Sequence, residues 1–208
     1  MGAIRGFLEL VEEATENFPK DVRENLDAIS KASEHLNQLV DDLLEVSRSE
    51  SGTIKIEVGP FDIIPLVKSV VKELSLDIDK KNIKVKVRVS KPLPLAKGDG
   101  EKVKEVITNL LSNAIKYNKE GGNVDIQVFP QDSHLIIEIR DTGFGIPKQQ
   151  QDEIFKKFFR VRAKETREVL GTGLGLFITR MLVEKMGGQV MFTSREGEGT
   201  TFAFSLPL

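Results

Sequence analysis

Cysteine is absent from this sequence, which excludes disulfides and thiolate-held metals. Tryptophan is absent too, there is one tyrosine, and the only histidines are His35 and His134. No run reaches the roughly 18 apolar residues that a membrane-spanning helix needs. Met1 to Val11 includes Arg5 and Glu9 and shows no cleavage signal, so no signal peptide is expected. The expected setting is cytoplasmic, with any membrane anchor carried by upstream segments of a longer parent. Charge of one sign is also lacking: 30 basic residues face 32 acidic ones, for a net −2. No basic stripe predicts a nucleic-acid partner. Internal repeats and low-complexity segments are missing as well. What remains is an ordinary globular mixture, 39% hydrophobic and 30% charged, over 208 residues, enough for one large domain or two small ones.

Two periods divide the chain. Ile4, Phe7, Leu8 and Val11 recur at helical spacing, and Asn17-Phe18-Pro19-Lys20 breaks the run, with Pro19 suited to start a second helix. From there Val22, Leu26, Ile29, Ser33, Leu36, Val40 and Leu43 step by four and three, a heptad-like seam. The expectation is an antiparallel helical hairpin over residues 1–51 that pairs with a second copy into four helices. Beyond Gly52 the period falls to two: Ile54, Ile56, Val58; Ile83, Val85, Val87, Val89; Val124, Ile126, Val128; Leu135, Ile137, Ile139; and Val190, Phe192, Phe202, Phe204, Leu206. Those segments read as half-buried strands, with helical stretches near 62–79, 100–118 and 174–187 between them. The fold class is α+β: a helical hairpin, then a two-layer α/β sandwich over 52–208.

Four stretches carry candidate chemistry. On the helix holding Asn109 to Tyr117, Asn109, Asn113 and Lys116 fall within about 60° of one another and Tyr117 borders them, while Val103, Ile107, Leu110 and Ala114 face the other way. Such a face is either merely solvated or a ligand face. Next, Leu135 to Arg140 is a strand running into Asp141-Thr142-Gly143-Phe144-Gly145-Ile146-Pro147. Asp141 either caps that turn or accepts a hydrogen bond from an exocyclic amine, with the glycines letting a flat ring approach the backbone. Gly171-Thr172-Gly173-Leu174-Gly175-Leu176 then opens an apolar helix, a start whose backbone N–H groups suit phosphate. It is no P-loop, since Gly-Lys-Ser/Thr does not follow, and no dinucleotide fingerprint, since charged residues rather than a strand precede it. Between these lies Phe155-Lys156-Lys157-Phe158-Phe159-Arg160, with Arg160 a candidate phosphate-directed cation. Residues 161–170 are charged and poorly patterned, which fits a lid. Gly197-Glu198-Gly199-Thr200-Thr201 is a tight turn before the last strand.

In order and spacing these motifs resemble the sensor histidine kinases, within the ATPase superfamily that also holds gyrase, mismatch-repair ATPases and the large heat-shock chaperone. Asn109 to Tyr117 is similar to the family's asparagine box, and Asp141 to Gly145, Gly171 to Gly175 and Gly197 to Thr201 to its three glycine boxes. Phe155 to Arg160 is similar to its phenylalanine box, and residues 21–52 resemble the second helix of its dimerisation domain. The resemblance implies ATP and Mg²⁺ as ligands and a response regulator as partner. It implies that Asn113 ligates the metal through its amide oxygen, that Lys116 contacts phosphate, and that Arg160 steadies the γ-phosphate, Lys116 and Arg160 being the catalytic pair. Asn109 and Tyr117 would border the nucleotide, and Asp141 would hold the adenine amine. Gly143, Gly145 and Ile146, then Gly171, Thr172, Gly173, Leu174, Gly175 and Leu176, and finally Thr200 would complete the binding surface.

The sequence departs from the family at one point. The family's phospho-acceptor histidine, followed by an acidic residue, precedes the stretch matched here by Ile4-Arg5-Gly6, and Met1 falls just after it. His35 and His134 do not match that position, so nucleotide binding without self-phosphorylation is the expectation. A hydrolase of the same superfamily would resemble its relatives in carrying a glutamate where this chain has Asn109. A non-catalytic module that pairs with another kinase is the other alternative.

Overall fold

The computed structural model describes residues 19–161 and 171–208. The first helix of the expected hairpin, and the expected lid beyond Val161, lie outside the described residues. The second helix of the hairpin is α1, Lys20–Glu50. It starts after Pro19, whose carbonyl accepts from Val22 and Arg23. At 31 residues it is about 46 Å long. It stops where Gly52 takes a left-handed φ of 69°, a conformation that costs a residue without Cβ nothing. The freed carbonyl of Arg48 is then met by the backbone N–H groups of Thr53 and Ile54.

The strand expected from Ile54, Ile56 and Val58 is not formed. That stretch forms no regular element: Glu57 N–H bonds the carboxylate of Asp99 rather than a ladder partner, and Val58 is 57% exposed. The alternation there records which side of a connecting segment is covered. The first strand is instead β1, Gly59–Phe61, which pairs antiparallel with β3, Ala96–Gly98, in a two-stranded ribbon. Two helices follow β1: α2, Ile63–Glu73, capped by the Asp62 carboxylate on Ile64 N–H, and the short α3, Ser75–Lys80.

The main sheet has five strands in the order β2-β4-β5-β7-β6: β2 is Lys84–Val89, β4 Asn123–Gln131, β5 His134–Asp141, β6 Val190–Arg195 and β7 Gly199–Pro207. Only β2 runs parallel to its neighbour. The period-two pattern becomes rows across this sheet. Ile126, Ile139, Phe202 and Phe192 stand in register, as do Val128, Ile137, Phe204 and Val190. These rows pack under α2, α4 (Gly100–Lys116) and α5 (Gly175–Lys185), so the second unit is a sheet with helices over its inner face. Phe192 stacks on Phe202 at 5.9 Å and meets the edge of Phe155 at 5.8 Å, which draws the phenylalanine-rich stretch onto the same core.

Leu135 is fully buried at the end of β5 opposite Asp141 and pairs with Leu206, six residues or roughly 20 Å from the carboxylate. Leu135→Ala should cost about 2–5 kcal/mol in urea unfolding, whereas Lys86→Ala on the exposed side of β2 should cost about 0.5 kcal/mol or less.

Candidate functional site

A cleft of ≈ 1050 Å³ opens between α4, α5 and the end of β5, with α1 as its outer wall. Asn109, Asn113, Lys116 and Tyr117 line it from α4, Asp141, Gly145 and Ile146 from β5 and the turn after it, and Thr200 and Phe202 from β7. Arg160 and the segment Gly171, Thr172, Gly173, Gly175 and Leu176 line the other end. The motifs separated along the chain by up to ninety residues therefore meet in one place.

Asp141 stands in the inward row of β5, in phase with Leu135, Ile137 and Ile139. A carboxylate thus takes a position the pattern reserves for an apolar side chain. It is only 7% exposed, and burial pushes its pKa up to about 6, although the N–H groups of Gly143 and Thr200 pull the other way. Both N–H groups bond Oδ1, at 2.8 and 3.2 Å. Among the described residues Oδ2 takes no hydrogen bond, so one acceptor is available to a donor in the cleft. The turn beyond is held close. Phe144 N–H bonds the Tyr117 carbonyl at 3.0 Å, and a Cβ on Gly143 would come within 2.2 Å of that same oxygen. Gly143 is thus a spacer beneath Asp141 and does not itself line the cleft.

On α4 the amides form a directed chain. Asn109 Nδ2 donates to Thr179 Oγ1 at 2.7 Å, and Asn113 Nδ2 reaches Asn109 Oδ1 at 3.4 Å. That polarity leaves the amide oxygen of Asn113 facing the cleft as an acceptor. Gly175 permits the approach, since a Cβ there would lie 2.5 Å from Asn109 Oδ1. Tyr117 caps α4, and its phenol is raised in pKa by burial, partly offset by the Arg160 guanidinium. Lys116 and Arg160 are both exposed and both line the cleft.

The glycine-rich turn is tied to α1. Thr172 Oγ1 donates to Asp42 Oδ2 at 2.6 Å and accepts from Leu174 N–H at 3.2 Å, while Gln38 Nε2 bonds the other Asp42 oxygen at 2.7 Å. Leu174 is fully buried, so its side chain packs in the core while its backbone N–H serves the turn. Further along, Lys102 of α4 lies between Glu45 of α1 and Glu105, at 2.5 and 2.8 Å. Burial and the neighbouring Glu45 push Glu105 up to about 7. Lys157 and Glu50 add a surface pair.

Several supporting residues gave no signal in the sequence. Ser194 Oγ receives Ile146 N–H at 2.8 Å and meets Thr200 Oγ1 at 2.8 Å, and Gln151 bonds the carbonyls of Ile146 and Ser194. Asn118, almost fully buried, bonds the Asn123 carbonyl and receives the Thr142 hydroxyl. They act through tertiary hydrogen bonds, which no local motif encodes. His35 lines the cleft from α1, whereas His134 opens β5 and does not line it.

Comparison with known proteins matches residues 98–208 to the family described as histidine kinase-, DNA gyrase B-, and HSP90-like ATPase, and residues 1–52 to the His Kinase A (phospho-acceptor) domain. The circadian input-output histidine kinase CikA of Synechococcus elongatus is 32% identical over 187 residues, covering 89% of this chain and 25% of CikA. The signal transduction histidine-protein kinase BarA of Escherichia coli is 34% identical over 192 residues, again 89% of this chain and 21% of BarA. The chain thus spans a quarter or less of these two relatives. Among solved structures, full-length ShkA in complex with AMPPNP has a TM-score of 0.79 at 29% identity, covering 97% of this chain and 42% of ShkA. The chain belongs to the histidine kinase-, DNA gyrase B- and HSP90-like ATPase family, and it carries the ATP-binding catalytic domain of a two-component sensor histidine kinase.

Proposed function

We propose that the cleft holds ATP with its adenine against Asp141 and its phosphates toward Asn113, Lys116, Arg160 and the Gly171–Gly175 turn, and that the γ-phosphate passes to a histidine other than His35 and His134. The observation that carries this reading is the buried Asp141 carboxylate with one oxygen left open. It matches the exocyclic amine of adenine, which guanine does not present at that position. Gly145 and Ile146 border the base, Tyr117 packs beside it, and Thr200 holds Asp141 in place. Asn109 and Leu176 shape the phosphate end, with Thr172, Gly173 and the backbone N–H of Leu174 supplying the turn. ShkA was solved with AMPPNP, which supports an adenine nucleotide in the corresponding fold.

The donor set fits Mg²⁺. Among the described residues no cluster of His, Cys, Asp or Glu forms a metal cage. Mg²⁺ keeps most of its water and takes one or two protein oxygens plus phosphates, which suits the Asn113 amide oxygen. Bound there, it would neutralise charge on the phosphates. The protein's own part is to orient: Lys116 and Arg160 face the phosphates with positive charge, and α1 shields the cleft from solvent.

The reading favours a kinase over a hydrolase. Asn109 is committed to Thr179 and Asn113 through its amide and cannot act as a general base toward water. Residues 1–51 are assigned to the dimerisation hairpin and 52–208 to the catalytic domain. On α1, Val22, Ile29, Leu36 and Leu43 recur every seven residues and are 36–53% exposed, which supports pairing with a second copy. A response regulator is the proposed acceptor downstream. No helix among the described residues is long and apolar enough to cross a membrane.

Asn113→Ala should weaken Mg-dependent ATP binding roughly ten- to a hundredfold in calorimetry, and unchanged affinity would remove Asn113 from the metal site. The ionised Asp141 is the stronger acceptor for the amine, so affinity should fall as pH drops through about 6. Adenosine is the ligand to use, because phosphate itself titrates near that pH. Asp141→Asn should bind adenosine at least about tenfold more weakly at pH 7.5 and show no step near pH 6. A variant that keeps the step would place the titrating group elsewhere. Incubation with Mg-ATP should leave no acid-labile phosphate on the chain; its appearance on His35 would overturn the acceptor assignment.

A further inference from the structure

The last carbonyls of a helix have no partner within it. At the end of α4 the carbonyls of Ile115, Lys116 and Asn118 all accept from Nζ of Lys81, at 3.1, 2.6 and 3.5 Å. The Tyr117 carbonyl between them accepts instead from Phe144 N–H. A lysine ammonium has three donors, and here each is directed to a different carbonyl. The backbone of Lys81 joins the same turn, its carbonyl accepting from Gly121 N–H at 2.9 Å. Among the described residues no carboxylate forms an ion pair with Lys81, and burial lowers its pKa despite the field of Asp77. Its charge is therefore balanced chiefly by carbonyl dipoles at the negative end of α4.

We propose that Lys81, which does not line the cleft, is a positioning residue for the nucleotide. By gathering the carbonyls of residues 115, 116 and 118 it fixes the turn from which Lys116 and Tyr117 face the ligand. Through the Tyr117 carbonyl it also fixes Phe144, and with it the loop that follows Asp141. Without the ammonium, the carbonyls of Lys116 and Asn118 lose their donor and that of Ile115 keeps only Asn118 N–H, so the end of α4 loosens and Phe144 loses a fixed acceptor. This rests on the reading of the cleft as an ATP site.

The chain offers a direct reporter: Tyr117 is its only tyrosine and there is no tryptophan, so tyrosine fluorescence reports this turn alone. Lys81→Met keeps the stem and removes the donors, while Lys81→Arg keeps the charge in a planar form that cannot reach three carbonyls in the same way. The control is Leu135→Ala, remote from the turn, with all assays run where every variant is folded. Expected for Lys81→Met are about tenfold weaker ATP binding and clearly greater acrylamide quenching of Tyr117 at pH 7.5, with Lys81→Arg in between. Leu135→Ala should lose thermal stability and keep both properties. Lys81→Met that loses thermal stability but keeps wild-type quenching and affinity would overturn the proposal, leaving Lys81 a structural cap. If the unaltered chain binds no ATP, the reading of the cleft fails, and the quenching of Tyr117 still decides the role of Lys81.

Discussion

The structure turns on a carboxylate placed where the sheet calls for an apolar side chain. Asp141 ends the inward row of β5, so it is delivered into the helical layer by the same alternation that buries Leu135, Ile137 and Ile139. Burying it unpaired would be costly. Two backbone N–H groups, from Gly143 and Thr200, offset that cost on one oxygen only. Those donors come from the turn after β5 and from β7, so both must be held. Ser194 and Gln151 hold Ile146 and the start of β7, and the Tyr117 carbonyl holds Phe144. Much of the polar network of the second unit thus serves to keep one acceptor buried, aimed and incompletely satisfied.

Helix α4 does two jobs with one periodicity. Val103, Ile107, Leu110 and Ala114 pack into the core, and Asn109, Asn113 and Lys116 meet the cleft. The amide chain from Asn113 through Asn109 to Thr179 crosses from α4 to α5, so the relative position of the two helices sets which way the Asn113 oxygen points.

The sheet was legible because its strands alternate and face one core, and α4 because its two faces differ in kind. The motifs were legible as a set, since glycines and an aspartate at strand ends mark turns. Ile54 to Val58 misled because alternation records coverage, and a connecting segment pressed against Asp99 is covered on one side as a strand is. Ser194, Gln151, Asn118 and Lys81 were not legible, because each owes its part to a partner that only the folded chain brings near. Asp42 belongs with them: on the sequence it is one of two adjacent aspartates on a helix, and in the fold it is buried against Thr172.

That last contact has a geometric consequence. Successive residues on a helix differ by about 100° in azimuth. A twist of α1 well short of one residue's angle would swing Asp42 away from Thr172, while a slide along its axis of a few ångströms would do the same by translation. The glycine-turn end of the cleft is thereby geared, through one hydrogen bond, to the angular and axial setting of a rod that extends far beyond it.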